Sequence, residues 1–110
     1  MRLTVLQLVL QPVFALALSG CATTPPPHEQ LAAARAMVIQ AQPVAVSEGS
    51  PELQRAQVKL AQAEEAMQRF EYRNARILAE QAEVDARYAW TAAESARLRH
   101  AAAQLERRPQ

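Results

Sequence analysis

The residues with the clearest chemical potential lie near the start of the chain, in the run Leu18-Ser19-Gly20-Cys21. Cys21 is the only cysteine, so a disulfide within the chain is excluded. Its thiol follows Ser19 and Gly20, small residues of the kind that precede the bond cut by a signal peptidase. The pattern predicts cleavage between Gly20 and Cys21 and a covalent modification of the Cys21 thiol.

This run resembles the bacterial lipobox. The resemblance implies that the Cys21 thiol receives a diacylglycerol, that a dedicated signal peptidase cuts before it, and that the new amine is available for acylation. Residue 22 is alanine and not aspartate, which in lipoproteins of many Gram-negative bacteria implies transfer to the outer membrane. We therefore expect a lipid-anchored protein of the cell envelope, on the periplasmic face of the outer membrane.

Residues 1–20 have the composition of a cleaved signal peptide, with Arg2 near the amino terminus and an apolar stretch over 3–18. That stretch contains Gln7 and Gln11 and is shorter than the ~20 apolar residues that span a bilayer. We therefore expect a removed leader and no permanent transmembrane segment here.

A tether is predicted over residues 21–27, between the lipidated cysteine and the rest of the chain. Pro25-Pro26-Pro27 favours an extended conformation, which would hold the following domain roughly 20 Å from the lipid surface. Residues 28–110 then form the helical domain.

The charge of the mature chain is balanced. The chain has twelve basic and eleven acidic residues. Removal of the leader takes away Arg2, so the mature chain has eleven residues of each sign. No net field attracts nucleic acid, so nucleic-acid binding is not expected.

Three helices are predicted over approximately 28–42, 51–70 and 73–107, because alanine is abundant and Gly49 is the only glycine after residue 20. Pro43 is expected to end the first helix, since the residue before a proline disfavours helical geometry. Ser50-Pro51-Glu52 combines a capping serine, a proline at the first helical position and an early acid, which predicts the second start. The fold class is all-α, an alanine-rich helical hairpin or three-helix bundle.

Apolar seams mark the faces that these helices should bury. The first helix presents Leu31, Ala34, Val38 and Ala41. The second carries Leu53, Ala56, Leu60, Ala63, Met67 and Phe70 at spacings of three and four. The third carries Ala75, Ala79, Ala82, Ala86, Ala89, Ala93 and Ala96, with His100 and Ala103 in the same phase. Seven larger residues are expected to stabilise the fold beside that alanine seam: Ile77, Leu78, Val84, Tyr88, Trp90, Leu98 and Leu105.

A single continuous helix over 51–108 is the competing interpretation, since residues 70–75 contain neither glycine nor proline. The apolar phase favours a turn, because the step from Phe70 to Ala75 is five residues and rotates the stripe. Asn74 also tolerates a turn or a helix start.

A family resemblance rests on Pro51-Glu52-Leu53, Lys59-Leu60, the step from Tyr72 to Ala75, Leu78-Ala79-Glu80-Gln81-Ala82 and Asp85-Ala86. Over roughly residues 22–105 the chain resembles the domain of unknown function 4398 family. The resemblance implies a short bacterial envelope lipoprotein built on a helical hairpin, without an established activity.

Catalytic and metal chemistry is not expected, and no cofactor or small-molecule substrate is predicted. His28 and His100 lie far apart in sequence with no further ligand at metal-site spacing, and His100 suits a partly buried seam position. Glu64 and Glu65 are adjacent and point about 100° apart on a helix, which is unsuitable for an acid and base pair.

The candidate partner surface comprises Trp90, Arg97 and Arg99. The arginines could contact an anionic envelope component, or simply complement the negative end of the third helix, which is the favoured interpretation. Trp90 suggests a partner surface if it is exposed, although burial beside the alanine seam is favoured.

The preferred function is a membrane-anchored, non-catalytic helical interaction module, with another envelope protein or a second copy as partner. The alternative is a self-associating structural spacer, because a third helix of about 50 Å exceeds what the second can cover. A small enzyme or carrier is the third, disfavoured hypothesis.

Overall fold

The computed structural model describes residues 23–109, which form three helices and contain no strand. Helix α1 spans His28–Ala45, α2 spans Pro51–Gln68 and α3 spans Tyr72–Glu106. The all-α, three-helix prediction is confirmed, and the continuous helix over 51–108 is wrong. The predicted leader, cleavage site and Cys21 lie outside the described residues.

The helices run up, down and up, and α1 and α2 both pack mainly on α3. Near the start of α3, Leu31 and Ala34 of α1 cluster with Ala79 and Ala82. Towards the other end, Ala45 of α1 and Leu53 of α2 cluster with Ala89 and Ala93. The tertiary structure is therefore a three-helix bundle with α3 as its shared member.

Alanine forms the whole fully buried face of α3. Its buried residues are Ala75, Ala79, Ala82, Ala86, Ala89 and Ala93. Leu31, Val38 and Leu53 supply bulk from the other helices and are at most 5% exposed. Because a methyl side chain allows close approach of backbones, large residues of α1 and α2 can pack between the α3 alanines.

Helix α1 continues through Pro43 to Ala45, so the prediction that Pro43 ends it is wrong. The proline lies exposed on the outer side, near the helix end. Ala41 and Ala45 are both fully buried in the core, and the Val46 N–H still donates to the Gln42 carbonyl at 3.1 Å. Burial of Ala45 thus outweighs the local cost of the proline.

The α2–α3 turn occupies Arg69 to Glu71, and α2 ends two residues before the predicted residue 70. Phe70 adopts a left-handed φ of 62° and is 77% exposed, so its predicted place in the α2 seam is wrong. The turn closes by a hydrogen bond from the Glu71 N–H to the Ala66 carbonyl at 2.9 Å. Helix α3 then starts and ends within one residue of the prediction.

The last part of α3 projects beyond the other two helices. Helix α3 has 35 residues and α1 and α2 have 18 each, which correspond to about 52 Å and about 27 Å at ~1.5 Å per residue. Ala45 and Leu53 reach only the level of Ala93. We call residues 97–106 the projecting arm; His100 lies there and is exposed, contrary to the predicted partial burial.

Candidate functional site

The main surface feature is a second apolar seam on α3, which neither α1 nor α2 covers. Of the seven larger residues predicted to stabilise the fold beside the alanine seam, Leu78 and Trp90 pack against the core. The other five are exposed, and that part of the prediction is wrong: Ile77 (44%), Val84 (60%), Tyr88 (61%), Leu98 (69%) and Leu105 (66%).

These five residues share one face of the helix. Ile77, Val84, Leu98 and Leu105 fall on a strict seven-residue repeat with Thr91 as the middle member. Interleaved with them, four residues further on each time, are Gln81, Tyr88, Ser95 and Ala102. We call these nine positions the uncovered stripe; their spacing is that of the a and d positions of a coiled coil.

The uncovered stripe and the buried alanine seam lie on opposite sides of α3. Ile77 follows Ala75 by two residues, which corresponds to a rotation of about 200° on an α-helix. The same offset relates Val84 to Ala82 and Leu98 to Ala96. The stripe thus faces away from the bundle along nearly the full helix.

Both acidic and basic residues flank the stripe: Glu80, Asp85, Glu94 and Glu106 are acidic, and Arg87 and Arg99 are basic. Glu80 pairs with Arg76 at 2.8 Å, and Asp85 pairs with Lys59 of α2 at 2.7 Å. On the projecting arm, Arg97 contacts Glu94 at 2.9 Å. Within residues 23–109, Arg99, Arg107 and Arg108 have no ion-pair partner at 4.0 Å or less and remain exposed.

Of the sequence-predicted partner residues, Trp90 and Arg97 are seven residues apart and share one face of α3, whereas Arg99 lies on another face. Trp90 is half-buried against the core beside Ala89 and Ala93, whereas Tyr88, two residues earlier, lies on the uncovered stripe. Arg97 and Arg99 are both exposed on the projecting arm. Arg99 directly follows Leu98 and therefore borders the stripe.

The amino-terminal segment after the predicted anchor runs close to the α2–α3 turn. Thr23 and Thr24 line an open surface concavity together with Phe70, Tyr72, Arg73 and Ile77. Phe70 and Tyr72 meet edge to face, with ring centroids 6.2 Å apart. Pro27 is buried and precedes α1. The end of the bundle nearest Cys21 in sequence is thus the end that carries this turn.

The groups considered for catalysis are engaged in surface ion pairs. Glu64 accepts from Arg35 of α1 at 2.7 Å, and Glu65 pairs with Arg69. In the part of the chain that the structure describes, no three His, Cys, Asp or Glu side chains gather as a metal site requires. Nor is any described helix both long enough and apolar enough to cross a bilayer.

The carboxyl of Glu52, at the start of α2, has a lowered pKa. The Glu52 carboxylate is stabilised first by its own main-chain N–H, and further by the Ser50 hydroxyl and Arg55, so its pKa lies below the ordinary value. Ser50 Oγ also accepts from the Leu53 N–H at 3.2 Å. This cluster caps the start of α2 and contributes to stability there.

The uncovered stripe is the feature that sequence reasoning missed. Its signal was available, since the seven-residue repeat of Ile77, Val84, Thr91, Leu98 and Leu105 is visible in the sequence. Alanine is helix-forming but small, so the larger residues were expected to be the ones that stabilise the bundle.

A comparison with protein families matches residues 29–105 to the model described as Domain of unknown function (DUF4398). No curated protein and no solved structure matches the chain. The matched range contains α2, α3 up to Leu105 and α1 from its second residue.

Proposed function

Because the chain belongs to the DUF4398 family, whose description gives no activity, we propose from its surface that it is a lipid-anchored, non-catalytic interaction module of the bacterial cell envelope. The uncovered stripe is the observation that carries this proposal. It is the docking surface, and the bundle is the scaffold that presents it.

The composition of the stripe supports a helical partner. Exposed apolar residues scattered singly need no explanation, whereas an aligned set on a protein surface marks an interaction site. Here Val84, Tyr88, Leu98 and Leu105 are each at least 60% exposed on one side of one helix. Heptad spacing matches the knobs of a second helix, so the partner contributes an amphipathic helix.

The anchor of the proposed module is a lipid on Cys21. Its support is the run Leu18-Ser19-Gly20-Cys21 together with the proline-rich segment that follows. The proposed location is the periplasmic face of the outer membrane. A membrane-bound module encounters its partner in two dimensions, so the stripe needs less affinity than in free solution.

The anchor is tested by the intact mass of the full chain expressed in a Gram-negative bacterium, compared with Cys21→Ser. The wild type should lack residues 1–20 and carry lipid mass, and the variant should lack that lipid. A wild-type chain that keeps its leader and carries no lipid would refute the anchor.

The docking surface is tested by placing a photo-crosslinking amino acid at Leu98 of the full chain in the same cells. Ile39 on α1 is a matched control, since it is 67% exposed against 69% for Leu98 and lies off the stripe. We expect discrete protein adducts from position 98 and not from position 39. Equal adduct patterns at the two positions, or none at either, would contradict the proposed role.

The alternative function, a self-associating structural spacer, is supported by the projecting arm, which α1 and α2 leave uncovered. If the protein is such a spacer, helix α3 of another copy binds along the whole length of the stripe.

A further inference from the structure

We infer that the occupant of the uncovered stripe is the uncovered stripe of a second copy of this chain, in antiparallel orientation. The inference rests on the proposed interaction role and identifies the partner of that same surface. Two observations support it: when two copies of the stripe are aligned antiparallel, their side chains are complementary in size, and the charged residues beside them are complementary in sign.

The first argument is steric complementarity along the stripe. In an antiparallel pair that sets Tyr88 against Leu98 of the second copy, Val84 meets Ala102 and Thr91 meets Ser95. Gln81 then meets Leu105. Apart from the Tyr88 layers, large aliphatic side chains oppose small or polar ones, as close packing of two helices needs.

The second argument is charge complementarity in the same register. Asp85 follows Val84 and Arg99 follows Leu98, so Arg99 of the other copy lies beside each Asp85. Arg99 there adds a second cation to a carboxylate that Lys59 of the same copy already contacts at 2.7 Å. Two-fold symmetry makes the contact of Asp85 with Arg99 twice, against a single unfavourable contact of Glu94 with its own counterpart near the axis.

A parallel pair lacks this balance. If two α3 helices pair through the same stripe in parallel orientation, Glu80 of one copy lies beside Asp85 of the other. This repulsive contact occurs twice. The attractive contact of Glu94 with Arg99 also occurs twice and only offsets it. The antiparallel pair also gives a partner to Arg99, which lacks one within residues 23–109 of one copy.

The bundle leaves room for this pairing. Since α1 and α2 cover the opposite side of α3, a second copy reaches the stripe without displacing either helix. Each projecting arm then lies along the bundle part of the other copy. The two tethers leave at opposite ends of the pair, so both lipids reach one bilayer when the pair lies along the membrane.

The test uses the full chain in its own cells, with the photo-crosslinking amino acid at position 98 and mass spectrometry of the crosslinked peptides. We expect adducts to this same chain within residues 84–91, and none from position 39. Adducts to the same chain at residues 98–105 would indicate a parallel pair and overturn the inference. Adducts to a different protein would overturn it while leaving the proposed interaction role intact, and no adduct would overturn both.

A charge reversal gives an independent test. Arg99→Glu places a carboxylate beside Asp85 of the other copy twice, and should lower the yield of the position-98 adduct roughly fivefold. Arg73→Glu is the matched control, because Arg73 is an exposed arginine of α3 without an ion-pair partner in the described range and lies before the paired region. Equal yields in the two variants would overturn the assigned register.

Discussion

Lys59 of α2 and Asp85 of α3 form an ion pair across the helical hairpin, with Nζ 2.7 Å from Oδ2. Their side chains are 30% and 19% exposed, so both charges are partly withdrawn from water. The pair joins residues 26 positions apart in the chain. It therefore fixes the register of α2 on α3 at the level where the core changes from one cluster to the next.

Lys59→Met should lower the free energy of unfolding by about 1–2 kcal/mol, because it leaves the half-buried Asp85 carboxylate without its partner. The double variant Lys59→Met with Asp85→Leu should recover most of that loss. Urea denaturation of the wild type, the two single variants Lys59→Met and Asp85→Leu, and the double variant measures the coupling between the two side chains. Arg76→Met, which breaks an exposed pair with Glu80, should cost less than about 0.5 kcal/mol; equal losses from Lys59→Met and Arg76→Met would contradict the structural role of Lys59.

Ala82→Leu should destabilise the bundle by about 1–3 kcal/mol, because Ala82 is fully buried among Leu31, Ala34 and Ala63. Ala61→Leu adds the same side chain to an exposed position of α2, away from the stripe, and should change stability by no more than about 0.5 kcal/mol. Thermal unfolding followed by circular dichroism compares the two. A neutral Ala82→Leu would mean that α3 is not closely packed through its alanine face.

Phe70→Gly should raise stability by up to about 1 kcal/mol. A non-glycine residue at a left-handed φ costs roughly 1–2 kcal/mol, of which the added backbone freedom of glycine in the unfolded chain offsets about half. Because the Phe70 side chain is 77% exposed, its removal loses little buried apolar surface. Gln68→Gly, within the last turn of α2, should instead lower stability; a loss in both variants would argue against strain at Phe70.

The start of α2 should lose stabilisation in acid. The pKa of Glu52 is lowered in the folded chain, chiefly by its own main-chain N–H. The ionised Glu52 carboxylate therefore stabilises the folded chain fully above the pKa that Glu52 has when unfolded. This stabilisation is lost as the pH falls through the pKa that Glu52 has in the folded chain. The wild type should therefore exceed Glu52→Gln in melting temperature near neutral pH, and the difference should shrink as pH falls from about 6 to about 3. A difference independent of pH would contradict this.

Elements governed by contacts within one helical turn could be predicted from the sequence. The start of α2 follows from Ser50 and Pro51, because a cap and a preset φ act on the adjacent residues alone. The buried faces of α1 and α3 follow from spacing. Local rules failed at Pro43 and Phe70. Pro43 does not end α1, because burial of Ala45 outweighs the cost of a proline in the helix, and Phe70 adopts a left-handed φ, because closure of the α2–α3 turn outweighs the strain.

The sequence by itself determined three alanine-rich helices and a turn near residue 70, and it carries two apolar repeats on α3, of which only the alanine seam was predicted. Only the tertiary structure decided which seam is covered. Either could in principle have faced α1 and α2, since periodicity records that a face is apolar but not what packs on it. The close approach of three backbones selected the alanine seam, and as a result Ile77, Val84, Tyr88, Leu98 and Leu105 were left on the outside.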